Sequence, residues 1–240
     1  MNWFICRLFY RQNSSAIIPC VLVDFGGKYY WSAYLKILAV SDMVVERLNS
    51  AKIADRFHDV KLILGCGDLP YEYLEFLVSA MNVPLLYVPG NHDPAYNEKN
   101  PATLAQGCDN IDRKMVRVNG LNIVGFGGSM RYRPCCDNQY TQSQMYSRIS
   151  TILPKLFLDL SRKGGGLDIV IAHSPPRGIH DDNDRAHTGF SALRDFVQVF
   201  KPRYFLHGHT MAYKSNIELP ATLLGTTKVI NVNPYRIIEV

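Results

Sequence analysis

Residues 83–93 read Val-Pro-Leu-Leu-Tyr-Val-Pro-Gly-Asn-His-Asp, and this stretch decides the fold. Its first six residues are mostly apolar and predict a buried strand, while Pro89-Gly90 predicts an abrupt end to that strand. An amide, an imidazole and a carboxylate then follow directly at the strand end. Because ligands of open α/β sheets bind outside the carboxyl ends of the strands, the stretch predicts a polar site at one edge of a sheet.

Four other apolar runs end in the same way, on aspartate or histidine. A single aspartate at a strand end is more often a helix cap than a ligand, but five such ends are hard to explain by capping. They indicate one polar cluster on one face of a sheet. The four runs are Ile37–Val40 before Ser41-Asp42, Leu62–Leu64 before Gly65-Cys66-Gly67-Asp68, Ile169–Ala172 before His173, and Tyr204–Leu206 before His207-Gly208-His209.

In order and context, these polar residues resemble the five sequence blocks of the calcineurin-like metallophosphoesterases. The resemblance covers about residues 36–215, and Gly67-Asp68 and Gly90–Asp93 are its most specific parts. The family pattern is Asp-x-His, Gly-Asp, Gly-Asn-His-Asp/Glu, His and Gly-His-x-His. This chain departs from the pattern twice, because Val44 replaces the histidine of the first block and Met211 replaces the second histidine of the last block.

Length and composition are those of an ordinary globular chain, with 240 residues, 47% hydrophobic and 20% charged. No run approaches the roughly 18 apolar residues of a membrane span, so we expect no membrane association. The six cysteines include no metal-type Cys-x-x-Cys pair, which favours reduced thiols and a cytoplasmic location. The net charge of +5 includes no basic run, so nucleic acid is not indicated as a partner. A mild positive field favours phosphorylated substrates, but it also fits an ordinary solvated surface.

From Lys36 onward the pattern alternates strands and helices and then forms a hairpin around Asn119-Gly120. This order predicts an α/β fold with a mixed sheet covered by helices. The resemblance implies a four-layer α/β/β/α sandwich of mixed β-sheets over residues 36–240. Residues 1–35 match no block and are expected to be an added strand, a partner-binding arm or an over-called start of the reading frame. The predicted helices are Val44–Phe57, Tyr71–Asn82, Thr141–Lys163 with a break at Pro154, and Phe190–Phe200.

The resemblance assigns roles to the residues that match the family pattern at one metal site. It implies that Asp68 is a carboxylate shared between two metals and that Asn91, His173 and His209 complete the ligands of the second metal. Mixed imidazole and oxygen ligands suit Mn, Fe, Zn or Ni. His92 matches the catalytic histidine of the family, which is not a ligand and which stabilises the transition state or protonates the leaving oxygen.

Asp42 matches the aspartate of the first metal, which lacks both of its family histidines here. Val44 cannot coordinate a metal, and the thioether of Met211 is a soft ligand that more often fills a core. We therefore expect one tight metal site and, at the first position, a labile Mn²⁺ or Mg²⁺ completed by water. The alternative is a substitute ligand from the polar segment 177–187. The candidates in that segment, which also fits a solvated loop or a substrate loop, are His180, Asp181 and His187.

Two further residues are candidates for contacts around the site. Arg131 could clamp a phosphate with two hydrogen bonds, although a surface arginine is the commoner case. His207 could orient a metal ligand, or it could be a satisfied strand-end histidine.

We predict a metal-dependent phosphoesterase that hydrolyses phosphate monoesters or diesters of small molecules by metal-activated hydroxide. The alternative is a catalytically degenerate protein-binding scaffold, as in the retromer subunit that shares this fold; the sequence does not predict the oligomeric state.

Overall fold

The computed structural model describes residues 35–97, 99–134, 136–163, 165–211 and 221–240, and the backbone alone of four short strand segments. Four α-helices occur in this part of the chain, α1 Ile53–Arg56, α2 Tyr71–Met81, α3 Gln142–Lys163 and α4 Ser191–Phe200, with a 3-10 helix at Pro101–Thr103. The strands are β1 Val21–Val23, β2 Tyr29–Trp31, β3 Lys36–Val40, β4 Val60–Gly65, β5 Leu85–Tyr87, β6 Asp109–Asn110, β7 Met115–Val118, β8 Leu121–Phe126, β9 Ser129–Met130, β10 Gln139–Tyr140, β11 Ile169–Ala172, β12 Tyr204–His207, β13 Tyr213–Lys214, β14 Ile217–Glu218, β15 Thr222–Leu224, β16 Thr227–Asn231 and β17 Tyr235–Glu239.

Two mixed sheets form the centre of the fold. The five-stranded sheet has the order β17-β3-β4-β5-β6, in which β3 to β6 are parallel and β17 is an antiparallel edge. The six-stranded sheet has the order β15-β16-β12-β11-β8-β7, with four parallel strands between two antiparallel edges. Parallel strands need both faces covered, which explains why these strands are nearly continuous apolar runs.

Side chains alternate between the two faces of each sheet and so separate three apolar cores. In β3, Ile37 and Ala39 pack between the two sheets, whereas Leu38 and Val40 pack toward α1 and α2. In β11, Ile169 and Ile171 face the same inter-sheet core, and the alternate residues of β11 pack with α3 and α4. The layers therefore run helix, sheet, sheet, helix, and the predicted α/β sandwich of mixed sheets is confirmed.

The carboxyl ends of the central strands of both sheets carry the residues that the sequence singled out. In one sheet, β3 and β4 are parallel neighbours, and β5 lies beside β4. In the other sheet, β11 and β12 are parallel neighbours. Parallel strands place their carboxyl ends at one edge, so the polar residues after each strand approach one another across the two sheets.

The predicted helix Val44–Phe57 is wrong in extent, because α1 is a single turn. The N–H of Asn49 bonds to the carbonyl of Val45, and a separate turn begins where Ile53 bonds to the carbonyl of Ser50. Short polar side chains such as those of asparagine and serine compete for backbone hydrogen bonds and favour turns over helix interiors. Two local turns replace the helix for this reason.

The predicted break at Pro154 is also wrong, because α3 continues through the proline. Proline removes one helical hydrogen bond and crowds the preceding turn, which usually kinks a helix. Pro154 is exposed, so water can satisfy the freed carbonyl, and Met145 and Leu156 anchor the helix in the core on either side of it. Packing along the buried face therefore holds the helix together.

The other helix and hairpin predictions are confirmed. Helix α2 ends at Asn82, whose φ of 50° closes it in the left-handed conformation. Helix α4 begins one residue after the predicted start. Strands β7 and β8 pair antiparallel around Asn119 and Gly120, which both have positive φ, as a two-residue hairpin turn of this kind requires.

The predicted amino-terminal extension, residues 1–35, falls outside the described residues except for Leu35 and the backbone of β1 and β2, which pair antiparallel. Among the cysteines that the structure describes, Cys66, Cys108 and Cys136 are free thiols. Over the same described ranges, none of the helices combines the length and apolarity needed to cross a membrane.

Candidate metal centre

Three ligand-type side chains converge at the shared edge of the two sheets. Within the described residues, Asp68, His173 and His209 each offer an atom that lies within 4.8 Å of the atoms of the other two. Asp68 follows β4, His173 follows β11 and His209 follows β12. The structure thus brings together, from three strands of both sheets, three of the residues predicted to bind one metal.

His173 is fully buried, and its hydrogen bonds fix which ring nitrogen faces the cluster. Its Nδ1 lies 2.8 Å from the carbonyl oxygen of Cys66, which can only accept, so Nδ1 carries a proton. Its Nε2 lies 3.0 Å from Oδ1 of Asn91 and 3.3 Å from Oδ2 of Asp68. Nε2 therefore faces two oxygen acceptors, and it needs either a proton or a metal ion between it and them.

The other members of the cluster are anchored in the same way. Nε2 of His209 lies 2.8 Å from the carbonyl oxygen of Ala186, which leaves Nδ1 as the lone-pair nitrogen. The amide nitrogen of Asn91 donates to Tyr132, so its oxygen faces His173. In each side chain, one polar atom is held by the surrounding protein, and the other is an acceptor that could bind an ion.

Four acceptor atoms facing one another need a positive charge between them. Burial lowers the pKa of His173, but the carboxylates of Asp68 and Asp42 outweigh it and raise that pKa to about 9. Burial raises the pKa of Asp68, but His173 and the backbone N–H of His92 outweigh it and lower that pKa to about 2. Imidazoles with one nitrogen bonded to a carbonyl are typical metal ligands, so the residues present fit a divalent transition metal.

Unusual backbone conformations orient the side chains of three residues at the strand ends. Asp42, Asp68 and His209 have φ of 65°, 55° and 67°, a region that residues other than glycine rarely adopt. Two glycines make room beside them. A Cβ atom on Gly90 would collide with Oδ1 of Asp68, and a Cβ atom on Gly208 would collide with Oδ2 of Asp42. Neither position has space for any side chain.

Asp93 holds together two loops of the metal centre, a role that the sequence did not predict. Its Oδ2 accepts hydrogen bonds from the N–H of Asp68, at 2.9 Å, and from the N–H of Gly90, at 2.7 Å. The carboxylate therefore ties the loop after β4 to the loop after β5. The position of Asp93 within the Gly90–Asp93 block was the available signal, but its bonds to backbone groups from two loops could not be seen in the sequence.

Asp42 and His92 lie in the wall of an open cavity of about 550 Å³ above the cluster, together with Asp68, Asn91, Tyr132, Ala186, His187 and His209. Both carboxylate oxygens of Asp42 accept from the N–H of His209, at 3.1 and 3.0 Å. His92 is exposed, and its N–H donates to Oδ1 of Asp68 at 2.8 Å. Val44 and Met211 are 43% and 72% exposed and are not among the residues that line the cavity.

His207 and His180 form a separate buried hydrogen-bonded chain. Nδ1 of His207 lies 2.9 Å from the carbonyl oxygen of Gly208, so its Nε2 accepts from Nδ1 of His180 at 3.0 Å. Nε2 of His180 in turn accepts from the hydroxyl of Thr222 at 2.7 Å. Both rings are neutral in this arrangement, and burial lowers the pKa of His207 to about 3. All four ring nitrogens are used in these bonds, so the pair contributes no free nitrogen to the cavity.

Asp181 and Arg131 also lie outside the cavity. Asp181 accepts from the N–H groups of Gly178 and Gly189 and so closes the loop in which it lies. The guanidinium group of Arg131 donates to the carbonyl of Gln139 and to the side chain of Gln144. Arg131 lines a second cavity, of about 600 Å³. That cavity is larger, but its charged residues are of both signs and no ligand atoms converge there among the described residues.

His187 does lie in the cavity wall, on the loop between β11 and α4. Its Nδ1 lies 2.8 Å from Oδ2 of Asp184, and its ring centroid lies 5.1 Å from that of His209. Of the three predicted substitute ligands, His187 is thus the one that the structure places beside the centre. The contact with Asp184 was not predicted, although Asp184 lies only three residues before His187 in the same polar loop.

Comparison with known proteins gives a consistent picture. The profile of the calcineurin-like phosphoesterase family matches residues 35–213. An uncharacterized protein of Methanocaldococcus jannaschii is 26% identical over 218 residues, which cover 84% of this chain and 89% of that protein. A crystal structure of a Thermus thermophilus protein superimposes with a TM-score of 0.58 at 17% identity, covering 83% of this chain and 89% of the other. At this identity the structural match shows the fold alone.

Proposed function

The chain belongs to the calcineurin-like phosphoesterase family, and we propose that it hydrolyses phosphate esters with the help of bound divalent metal. The metal ligands in this proposal are Asp68, Asn91, His173 and His209, with Asp42 at a further position in the cavity wall. We propose a transition metal such as Mn, Fe, Zn or Ni, and a phosphorylated small molecule as the substrate. The domain that carries this function would comprise residues 36–240.

One observation carries the proposal, namely the free acceptor atoms that converge from the strand ends. Asp68, His173 and His209 come from three strands of two sheets, and their ligand atoms lie within 4.8 Å of one another. Each histidine has its other nitrogen bonded to a backbone carbonyl. Burying polar groups in this arrangement costs free energy, and a core with only a structural role would not need such an arrangement.

The residues around the ligands have separable tasks in the proposed reaction. When bound, a divalent metal would polarise the phosphoryl oxygens and supply a nucleophile at neutral pH. His92 lines the cavity without any described hydrogen bond from its ring, so its imidazole is available to protonate the leaving oxygen of the ester. Tyr132 holds the amide of Asn91 and keeps its oxygen turned toward His173.

Hydrolysis of two generic aryl substrates tests the proposal. The full chain is stripped with chelator, desalted and assayed with 4-nitrophenyl phosphate and bis(4-nitrophenyl) phosphate, before and after addition of Mn²⁺. We expect activity that depends on added metal toward at least one substrate, and the preferred substrate separates monoesterase from diesterase activity. Activity unaffected by stripping would refute the metal-dependent mechanism.

The alternative function is a protein-binding scaffold that keeps the fold without catalysis. The exposed Val44 and Met211, at positions where the family pattern has histidine, favour this alternative. The exposed, cavity-lining imidazole of His92 opposes it, because a scaffold has no use for that ring. Absence of hydrolysis with both substrates in protein shown to be loaded with metal would favour the scaffold.

A further inference from the structure

The cavity above the metal centre has an imbalance of charge on the side of Asp42. Its wall includes the carboxylates of Asp42 and Asp68, and none of the lining residues in the described part of the chain is lysine or arginine. The hydrogen bonds to the Asp42 carboxylate come from the N–H of His209 and from the hydroxyl of Ser41, and both donors are uncharged. Neighbouring, partly buried carboxylates are stabilised by cations, and the one ion pair described for these two joins Asp68 to His173, so Asp42 has no ion pair of its own among the described salt bridges.

His187 faces the same cavity in a conformation fixed by Asp184. Oδ1 of Asp184 accepts from the N–H groups of Ala186 and His187, at 2.8 and 3.0 Å, and Oδ2 is 2.8 Å from Nδ1 of His187. The hydroxyl of Thr188 donates to the carbonyl of Asp184 and closes the same turn. Since Nδ1–H donates to the carboxylate, Nε2 of a neutral His187 carries a lone pair.

A carboxylate that holds one nitrogen of an imidazole is the usual support of a metal-bound histidine. It fixes the tautomer and the ring orientation and makes the other nitrogen more basic. The ring of His187 is 5.1 Å from that of His209, so it lies beside a residue of the tight centre. The other polar side chains of this loop predicted as ligands, His180 and Asp181, already use their polar atoms in internal hydrogen bonds.

We propose that His187 is the imidazole ligand of a second divalent transition metal beside Asp42 and Asp68, in place of the two family histidines that Val44 and Met211 replace in this chain. This inference rests on the proposed function, because Asp68 is shared with the tight centre. The ligand atoms of this second site are spread more widely than the three that lie within 4.8 Å of one another. We therefore expect the second ion to bind more weakly than the first and to exchange readily.

Counting Mn²⁺ ions by electron paramagnetic resonance tests the second site. Free Mn²⁺ is titrated against the stripped full chain, because the free ion gives a signal that binding removes. We expect two ions per wild-type chain with unequal affinities, and one ion in His187→Ala. His58→Ala is the matched control, since His58 is exposed and its ring bonds only the carbonyl of Asp55 among its described contacts. This control should bind two ions as the wild type does.

Asp184→Asn tests the support of His187 without removing the imidazole. Loss of the carboxylate should weaken the second ion by roughly 10- to 100-fold and leave the first unchanged, as for other groups that orient a ligand. Two ions of unchanged affinity in His187→Ala, or a single ion in the wild type, would overturn the second site while leaving the tight centre in place. No ion in the wild type would instead overturn the proposed function itself, so the two failures are distinguishable.

Discussion

The Nε2 atom of His173 lies 3.3 Å from Oδ2 of Asp68, and neither side chain has another charged partner of opposite sign within the described salt bridges. The ring is fully buried and its opposite nitrogen is bonded to the carbonyl of Cys66. Without a metal, a proton on Nε2 must satisfy the carboxylate. Metal binding would release that proton and put a stronger cation in its place.

Metal should therefore stabilise the folded chain. An ion that binds the folded state alone adds about 2.7 kcal/mol at 100 times its Kd. For a chain of this size each kcal/mol raises Tm by about 2–4 °C, so we expect a rise of about 5–10 °C with Mn²⁺. Differential scanning fluorimetry with Mn²⁺ and with chelator measures it. An equal rise in Asp68→Asn would show that the ion binds elsewhere.

His92→Ala should separate catalysis from metal binding. The ring of His92 lines the cavity, and its backbone N–H, which the substitution keeps, is the group that bonds Asp68. We expect kcat to fall roughly 10²- to 10⁴-fold, as when a general acid is removed, with the Mn²⁺-induced rise in Tm retained. An unchanged kcat with either aryl substrate would refute the catalytic role.

Gly90→Ala should displace the Asp68 carboxylate. The added Cβ would overlap Oδ1 of Asp68 and lie 2.5 Å from its backbone nitrogen, so the carboxylate must move. We expect the Mn²⁺-induced rise in Tm to disappear. Gly166→Ala is the matched control, because a Cβ there meets nothing within 4 Å and the residue has no positive φ. Equal metal responses in both variants would contradict the tight fit at Gly90.

Asp93→Ala should destabilise the loops that hold the centre. The substitution leaves the N–H groups of Asp68 and Gly90 without their acceptor, which we expect to cost roughly 2 kcal/mol or more. Asp93→Asn keeps an acceptor oxygen and should lose less. Urea denaturation of both variants measures the difference. If Ala and Asn lower the midpoint equally, the carboxylate acts through charge and not through these two hydrogen bonds.

The layout of the fold was predictable because parallel strands that are buried on both faces are continuous apolar runs. The runs before Asp42, Asp68, Asn91 and His173 all predicted strand ends, and the structure places those ends at one edge. The segment after Asp42 was not predictable from periodicity, since apolar residues at helical spacing there contribute to two short turns. The hydroxyl of Ser50 accepts from the N–H of Lys52 and favours a turn at this point.

The ligand types could be predicted from the sequence, but their orientation could not. Which nitrogen of His173 or His209 faces the centre depends on the carbonyls of Cys66 and Ala186, which are distant in sequence. The positive φ of Asp68 likewise depends on bonds from other loops. These contacts arise from tertiary packing, which no local pattern records.

A comparison of the metal content of the wild type with that of one variant tests the central claim most directly. The wild type and Asp68→Asn are purified without chelator and analysed by inductively coupled plasma mass spectrometry against protein concentration. Asparagine keeps the shape of the side chain and an oxygen acceptor for the N–H of His92 but removes the charge. We predict at least about one transition-metal ion per wild-type chain and a large loss in the variant. Equal metal content in the two proteins would contradict the assignment of this centre.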